Sequence, residues 1–359
     1  VARPIRGRGA AENPKNRFER LGYDDAGEEA LLGDFGDPDA PRDAAPRTTY
    51  LRDPARSAIA TNQSPDLGFD ASLNPYRGCQ HGCSYCYARP THEYLGFSAG
   101  LDFETKILVK ERAPELLRSE LGSPRWKPRV VAISGVTDAY QPIERRLELT
   151  RRCLEVFLEF RNPVAVVTKN ALVARDTDLL SAMAAFGAAA ANVSVTTLDP
   201  GLQRRMEPRA SHPEQRLRAV ERLAAAGVPV GVMVAPVIPG LNDHEIPRIL
   251  ERAAAAGARS AAHIVLRLPH GLKSLFAAWL ERHFPERAGK VLHRVREVRG
   301  GGLNDARFGS RLRGEGLYAD QIHRLFEVAR RRAGLQASSG ALSTAAFRRP
   351  GGPQLPLFP

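Results

Sequence analysis

The chain has 359 residues, 43% of them apolar and 26% charged, enough for one large α/β domain with extensions or for two modest domains. Its 52 Lys and Arg outnumber 40 Asp and Glu, and the formal charge of +12 suits a polyanionic partner, since phosphates attract cations and release counterions on contact. Only seven of the 52 are Lys, a bias that a GC-rich coding background also produces, so charge alone does not settle the partner.

No stretch approaches the roughly 20 apolar residues that cross a bilayer. The start, VARPIRGRGA, is positive but has no apolar run behind it. Neither a membrane span nor a secretory leader is expected, and a cytoplasmic location follows. Three of the four cysteines fall within eight residues, a clustering that favours metal over disulfides in such a compartment.

In chain order, residues 1–70 are rich in Arg, Asp, Pro and Gly and lack a sustained apolar period. They read as an irregular N-terminal arm with a short helix at Asp25–Leu32. A short strand is expected at Ala71–Asn74. Apolar runs then predict strands at Arg129–Ser134, Val164–Thr168, Asn192–Thr196, Val230–Ala235 and His263–Leu268. Between them, helical periods cover Ile143–Phe160, Thr177–Phe186, Pro213–Ala226 and Asp243–Ala256.

Continuous apolar strands spaced by helices imply a parallel sheet covered on both faces. Six such units over residues 71–269 predict an α/β fold, a partial (β/α)6 TIM-type barrel with every strand C-terminus at one pole. Helical patterns at Leu272–Arg282, Glu286–Val298 and Ala319–Arg332 form a helical C-terminal extension over residues 270–335. Residues 336–359 read as a disordered tail. There is no Walker A loop and no GxGxxG between strand and helix.

The segment Asn74-Pro-Tyr-Arg-Gly-Cys79-Gln-His-Gly-Cys83-Ser-Tyr-Cys86-Tyr has the spacing CxxxCxxC. Soft thiolates suit zinc or an iron–sulfur cluster. Structural zinc wants four ligands, and the fourth would have to be His81, His92 or the distant Cys153. In a 4Fe–4S cube, Cys79, Cys83 and Cys86 leave one iron without a protein ligand, where a small molecule can chelate. Gly78 and Gly82 let the loop backbone come close to a cluster. Cys153 lies in the apolar pattern CLEVFL and reads as a buried helical thiol.

CxxxCxxC with an aromatic before the last cysteine resembles the signature of the radical S-adenosylmethionine (SAM) superfamily. From about Asn74 to Leu241 the chain resembles its spore photoproduct lyase-like branch. The carrying stretches are NPYRGCQHGCSYCYAR, SGVTDAYQPIE, VVTKN, VSVTT, MEPRAS and VMVAPVIPG. The resemblance implies a 4Fe–4S cluster and SAM as cofactors and a reductant such as flavodoxin or ferredoxin. It also implies reductive cleavage of SAM to a 5′-deoxyadenosyl radical, which takes hydrogen from a substrate inside the barrel.

The expected cofactor contacts are Tyr85 beside the cluster, Thr137 and Asp138 toward the ammonium or ribose, and Lys169 toward the carboxylate. Ser194 and Thr196 would face the interior, and Ala235 would leave room for adenine; barrel packing is the plain alternative for each. Arg209 in MEPRAS is a candidate for a phosphate or carboxylate, or else a partner of Glu207 or Glu214. True photoproduct lyases carry a hydrogen-returning thiol shortly ahead of the Ser/Thr-Asp step, whereas Ser134–Val136 contains no cysteine. Shared cofactor chemistry without the same repair reaction is therefore expected.

The chain ends Gln354-Leu355-Pro-Leu357-Phe358-Pro, and QLPLF resembles the pentapeptide with which bacterial replication and repair proteins dock on the DNA sliding clamp. The leading expectation is a radical SAM enzyme acting on nucleic acid, with DNA repair favoured. The alternatives are an RNA-modifying radical SAM enzyme and a non-enzymatic iron–sulfur protein that associates with DNA.

Overall fold

A computed structural model describes residues 5–19, 46–338 and 340–350. The helix expected at Asp25–Leu32 and the tail peptide with Gln354, Leu355, Leu357 and Phe358 lie outside the described residues. The strands are, in chain order, β1 (Thr49–Arg52), β2 (Ile59–Thr61), β3 (Ala71–Leu73), β4 (Tyr76–Arg77) and β5 (Lys106–Val109). They continue with β6 (Val131–Ile133), β7 (Val164–Thr168), β8 (Ala189–Ser194), β9 (Val230–Val237) and β10 (Ser260–Val265).

Six strands form one parallel sheet in the order β10-β9-β8-β7-β6-β3, with β2 antiparallel at the β3 edge. The α/β class and the six parallel strands are those expected. Among the described residues β10 and β2 do not pair, so the sheet stays open. Val131, Ile133, Val164, Val166, Val193, Val230 and Val232 are fully buried, as strands covered on both faces require. Each such side chain stabilises the fold by about 1.5–3 kcal/mol. Because all six run the same way, their C-terminal ends share one pole, and the cysteine loop leaves β3 there. No helix of the described residues is long and apolar enough to cross a membrane.

The helix expected over Ile143–Phe160 is two helices, Glu144–Leu147 and Leu149–Phe160, separated by Glu148 at φ +51°. The cause is Glu144. Its buried carboxylate accepts from the backbone N–H of Thr150 (3.1 Å) and Arg151 (3.4 Å), closing the first turn of the second helix from the turn before it. It also accepts from the Tyr76 hydroxyl at 2.5 Å, which ties β4, inside the cysteine loop, to this corner.

The segment read as an irregular arm is more ordered than its composition implied. β1 pairs in parallel with β5, which pairs on its other edge with β4. Residues 5–19 lack regular structure, yet Arg8, Ala10 and Asn16 are buried. Composition hid this because the segment is held by backbone and charge contacts, not by an apolar stripe.

Candidate active site

The cysteine loop is shaped by hydrogen bonds from every side. The backbone N–H of Cys79 donates to Phe103 O (2.8 Å), that of Gln80 to the Gln141 side chain (2.9 Å) and that of Ser84 to Met206 O (3.0 Å). The buried Arg89 guanidinium donates to Cys83 O at 3.0 Å and to Glu104 at 2.5 Å. Glu104 in turn accepts from the N–H of Gly9 (3.1 Å) and Ala10 (2.8 Å), so the Arg8–Ala10 segment straps the outer face of the loop. Gly78 and Gly82 sit at φ +79° and +65°, which glycine adopts without steric cost.

Cys79, Cys83 and Cys86 line one cavity of about 200 Å³ at the pole where the parallel strands end. Thr137, Asp138, Lys169, Ser194 and Ala235 line it too, as does Tyr85 from within the loop. Thr196 does not. It lies beyond the end of β8 at Ser194, and its hydroxyl donates to Glu207 at 2.7 Å behind the cavity wall.

The lining residues differ in how much of their polarity remains available. The Asp138 carboxylate accepts from Tyr140 N (2.9 Å), the Thr168 hydroxyl (2.8 Å) and Lys169 N (2.8 Å), and faces His81 Nδ1 at 3.3 Å. These four partners match the acceptor capacity of a carboxylate, so Asp138 orients the loops after β6 and β7. Asn170 accepts on Oδ1 from Leu172 N (3.0 Å) and from the Ser211 hydroxyl (2.9 Å), which turns its amide nitrogen toward His81 Nε2 at 3.1 Å. His81 thus turns Nδ1 toward Asp138 and Nε2 toward Asn170. The Thr137 hydroxyl donates to Tyr76 O at 2.6 Å and keeps only acceptor capacity.

Lys169 Nζ donates to Ala235 O at 2.8 Å and stands 3.7 Å from Glu207. Glu207 is fully buried and also accepts from Arg216 and from the Tyr85 hydroxyl. Burial disfavours its charge, but Arg216 and Lys169 more than compensate and hold its carboxyl down to about 2. This buried group fixes both Tyr85 and Lys169 against the cavity. Sequence reading noted Glu207 only as a partner for Arg209. Arg209 is elsewhere: its Nε donates to Gly7 O at 3.2 Å and it lines a separate concavity with Arg145 and Ser211. Glu214 pairs with Arg252 instead.

Tyr87 and Arg267, not expected in the site, also line the cavity, as does Ser134 from the thiol-free stretch after β6. Arg267 follows the end of β10 by two residues, and that position was the available signal, because function in such folds gathers just past strand C-termini.

Three soft thiolates lining one cavity fit three corners of an iron–sulfur cube. Of the three side chains considered as a fourth zinc ligand, His81 lines the cavity, with its ring nitrogens directed at Asp138 and Asn170, whereas His92 and Cys153 do not line it, and Cys153 is buried in the main apolar core, as its pattern predicted. Burial pushes the Cys83 thiol well above its ordinary value and that of Cys86 up to about 11.

Residues 73–253 match the family model of the Radical SAM superfamily. Uncharacterized protein Rv2578c of Mycobacterium tuberculosis is 37% identical over 244 residues, 67% of this chain and 71% of the relative. The radical SAM Nalpha-GlyT isomerase of Pseudomonas phage M6 is 25% identical over 242 residues, 67% of this chain and 48% of that protein. Among solved structures, spore photoproduct lyase complexed with dinucleoside spore photoproduct superposes with a TM-score of 0.52 at 18% identity, covering 79% of this chain and 78% of that one. Members of this family use a 4Fe–4S cluster and SAM. The chain belongs to the radical SAM superfamily and is a radical SAM enzyme.

Proposed function

We propose that this enzyme holds its cluster on Cys79, Cys83 and Cys86 and acts on nucleic acid, with a modified or damaged DNA base as the favoured substrate. The observation that carries the reading is the convergence of the three loop cysteines with the strand-end residues Thr137, Lys169, Ser194 and Ala235 on one cavity. When bound, the cluster and SAM supply a carbon radical able to abstract hydrogen. The protein's own residues do the rest. Tyr85, fixed by Glu207, presents its ring to the cavity, and Lys169 places a cation there that suits the cofactor's carboxylate. Ala235 offers a methyl-sized wall against which a flat base can lie.

The charge of +12 supports a polyanionic substrate, and a protein of the same fold is described with a dinucleoside bound. The phage relative is named an isomerase and the structural neighbour a lyase, so the scaffold hosts more than one reaction. Ser134 and Val136, from the stretch where the lyase branch carries a thiol, line the cavity, and among the described residues the three loop cysteines are the cavity's only thiols. We therefore infer a reaction other than photoproduct repair, carried out in the cytoplasm. Docking on the sliding clamp through Gln354, Leu355, Leu357 and Phe358 belongs to the same proposal and rests on sequence alone.

The test is mass spectrometry of DNA and RNA nucleosides from cells with and without the gene. A nucleoside that changes only in DNA is expected. A change confined to RNA would favour the RNA-modifying alternative. Repair of spore photoproduct by the pure enzyme would overturn the separation from the lyases.

A further inference from the structure

Most charges that reach the cavity are already paired within the protein. Asp138 faces His81 and two backbone N–H groups, and Lys169 is held by Ala235 O and Glu207. Arg267 differs. Among the described residues its guanidinium makes no hydrogen bond and no ion pair, and its Nε is buried without a partner. The Tyr87 ring lies beside it, with its centroid 5.6 Å from the guanidinium carbon.

The side chain is part-buried, and this burial together with the nearby Arg311 lowers its pKa. Arg311 is paired with Asp66, and that carboxylate only partly offsets the effect of burial and Arg311 on Arg267.

The surroundings hold Arg267 in place. Arg299 donates from Nη2 to Val265 O (2.8 Å) and to Leu266 O (2.6 Å), and Leu268 N donates to the Asn304 side chain at 3.2 Å. The backbone on both sides of Arg267 is thus clamped by the C-terminal extension, which gives residues 299–304 a definite task. The position is also informative. Cys79 and Cys83 are each 6% exposed, whereas Tyr87 and Val136 are 47% and 38% exposed. Arg267 lies beside the exposed Tyr87, on the open side of the cavity, where a base inserted toward the cysteines would leave its sugar–phosphate.

We propose that Arg267 receives a phosphodiester oxygen of the strand whose base enters the cavity, with the Tyr87 ring alongside. The proposal rests on the reading of the substrate as nucleic acid. A guanidinium with a free fork and a planar aromatic neighbour suits that pairing better than an ammonium would.

The test uses the reconstituted full-length enzyme and a short fluorescein-labelled oligothymidylate, with affinity read by anisotropy across a salt series. Arg267→Gln is expected to weaken binding about tenfold. It should also reduce the slope of log affinity against log salt by about 0.7, the loss of one phosphate contact on a single strand. Arg267→Lys, with the charge kept and the fork removed, should retain the slope and lose part of the affinity, and it serves if the Gln variant folds poorly. SAM affinity, measured by equilibrium dialysis on the same proteins, should not change.

Equal oligonucleotide binding by the wild type and Arg267→Gln would refute this role and leave the nucleic-acid reading standing. Failure of the wild type to bind at low salt would refute both. Loss of SAM binding with oligonucleotide binding intact would assign Arg267 to the cofactor and end the proposal.

Discussion

Gly9 lies so close to Gly82 that a β-carbon on Gly9 would stand 1.7 Å from the Gly82 carbonyl oxygen. No side chain at residue 9 is compatible with the strap as it is seated, because the obstacle is backbone and not a flexible side-chain end. Gly9→Ala should therefore lift Arg8–Ala10 from the cysteine loop. In metal-free protein the loop thiols should react with an aromatic disulfide reagent several-fold faster than in the wild type. An unchanged rate would mean that the strap does not shield the loop.

Glu207→Gln should be strongly destabilising. It leaves the fully buried Arg216 without its counter-charge and removes the anion beside Lys169, a type of loss that costs about 3–5 kcal/mol. The pH dependence has a definite sign. A carboxyl held near 2 in the fold, against an ordinary 4.5, contributes stability that is complete above 4.5 and is lost as pH falls toward 2. The urea midpoint of the wild type should therefore fall across that window. The same titration of Glu207→Gln should lack that component, and parallel curves would contradict the assignment.

How much of this was legible beforehand divides by physical cause. The strand at Val164–Thr168 stands where its apolar run placed it, because a buried parallel strand is written as continuous hydrophobicity. Cys79, Cys83, Cys86, Lys169 and Ala235 meet at one cavity because they sit in or just before loops at a single pole. The sequence did not disclose which of these groups are already saturated. Asp138 has the residue type of a ligand and the hydrogen bonds of a scaffold, and Thr196 has the right alternation but a position behind the wall. Nor did composition show that Arg8–Ala10 would be buried, since Arg, Gly and Ala carry no periodic signal there.

The four cysteines should separate cleanly. Alanine at Cys79, Cys83 or Cys86 should reduce iron after anaerobic reconstitution from about four atoms per chain to near none. Cys153→Ala, in the apolar core, should leave it unchanged. Iron retained by a loop variant would show that the three thiols do not share one cluster.

Deletion of residues 354–359 should abolish retention on immobilised sliding clamp while leaving iron content intact. Equal retention of full-length and truncated protein would end the clamp proposal.

The account turns on SAM cleavage at a site built from the CxxxCxxC loop. The most direct measurement is chromatographic detection of 5′-deoxyadenosine after anaerobic incubation of the reconstituted enzyme with SAM and dithionite. The prediction is formation of that nucleoside by the wild type and its loss in Cys83→Ala. A wild type that binds iron and SAM yet releases none, or one that purifies anaerobically with zinc in place of iron, would contradict it.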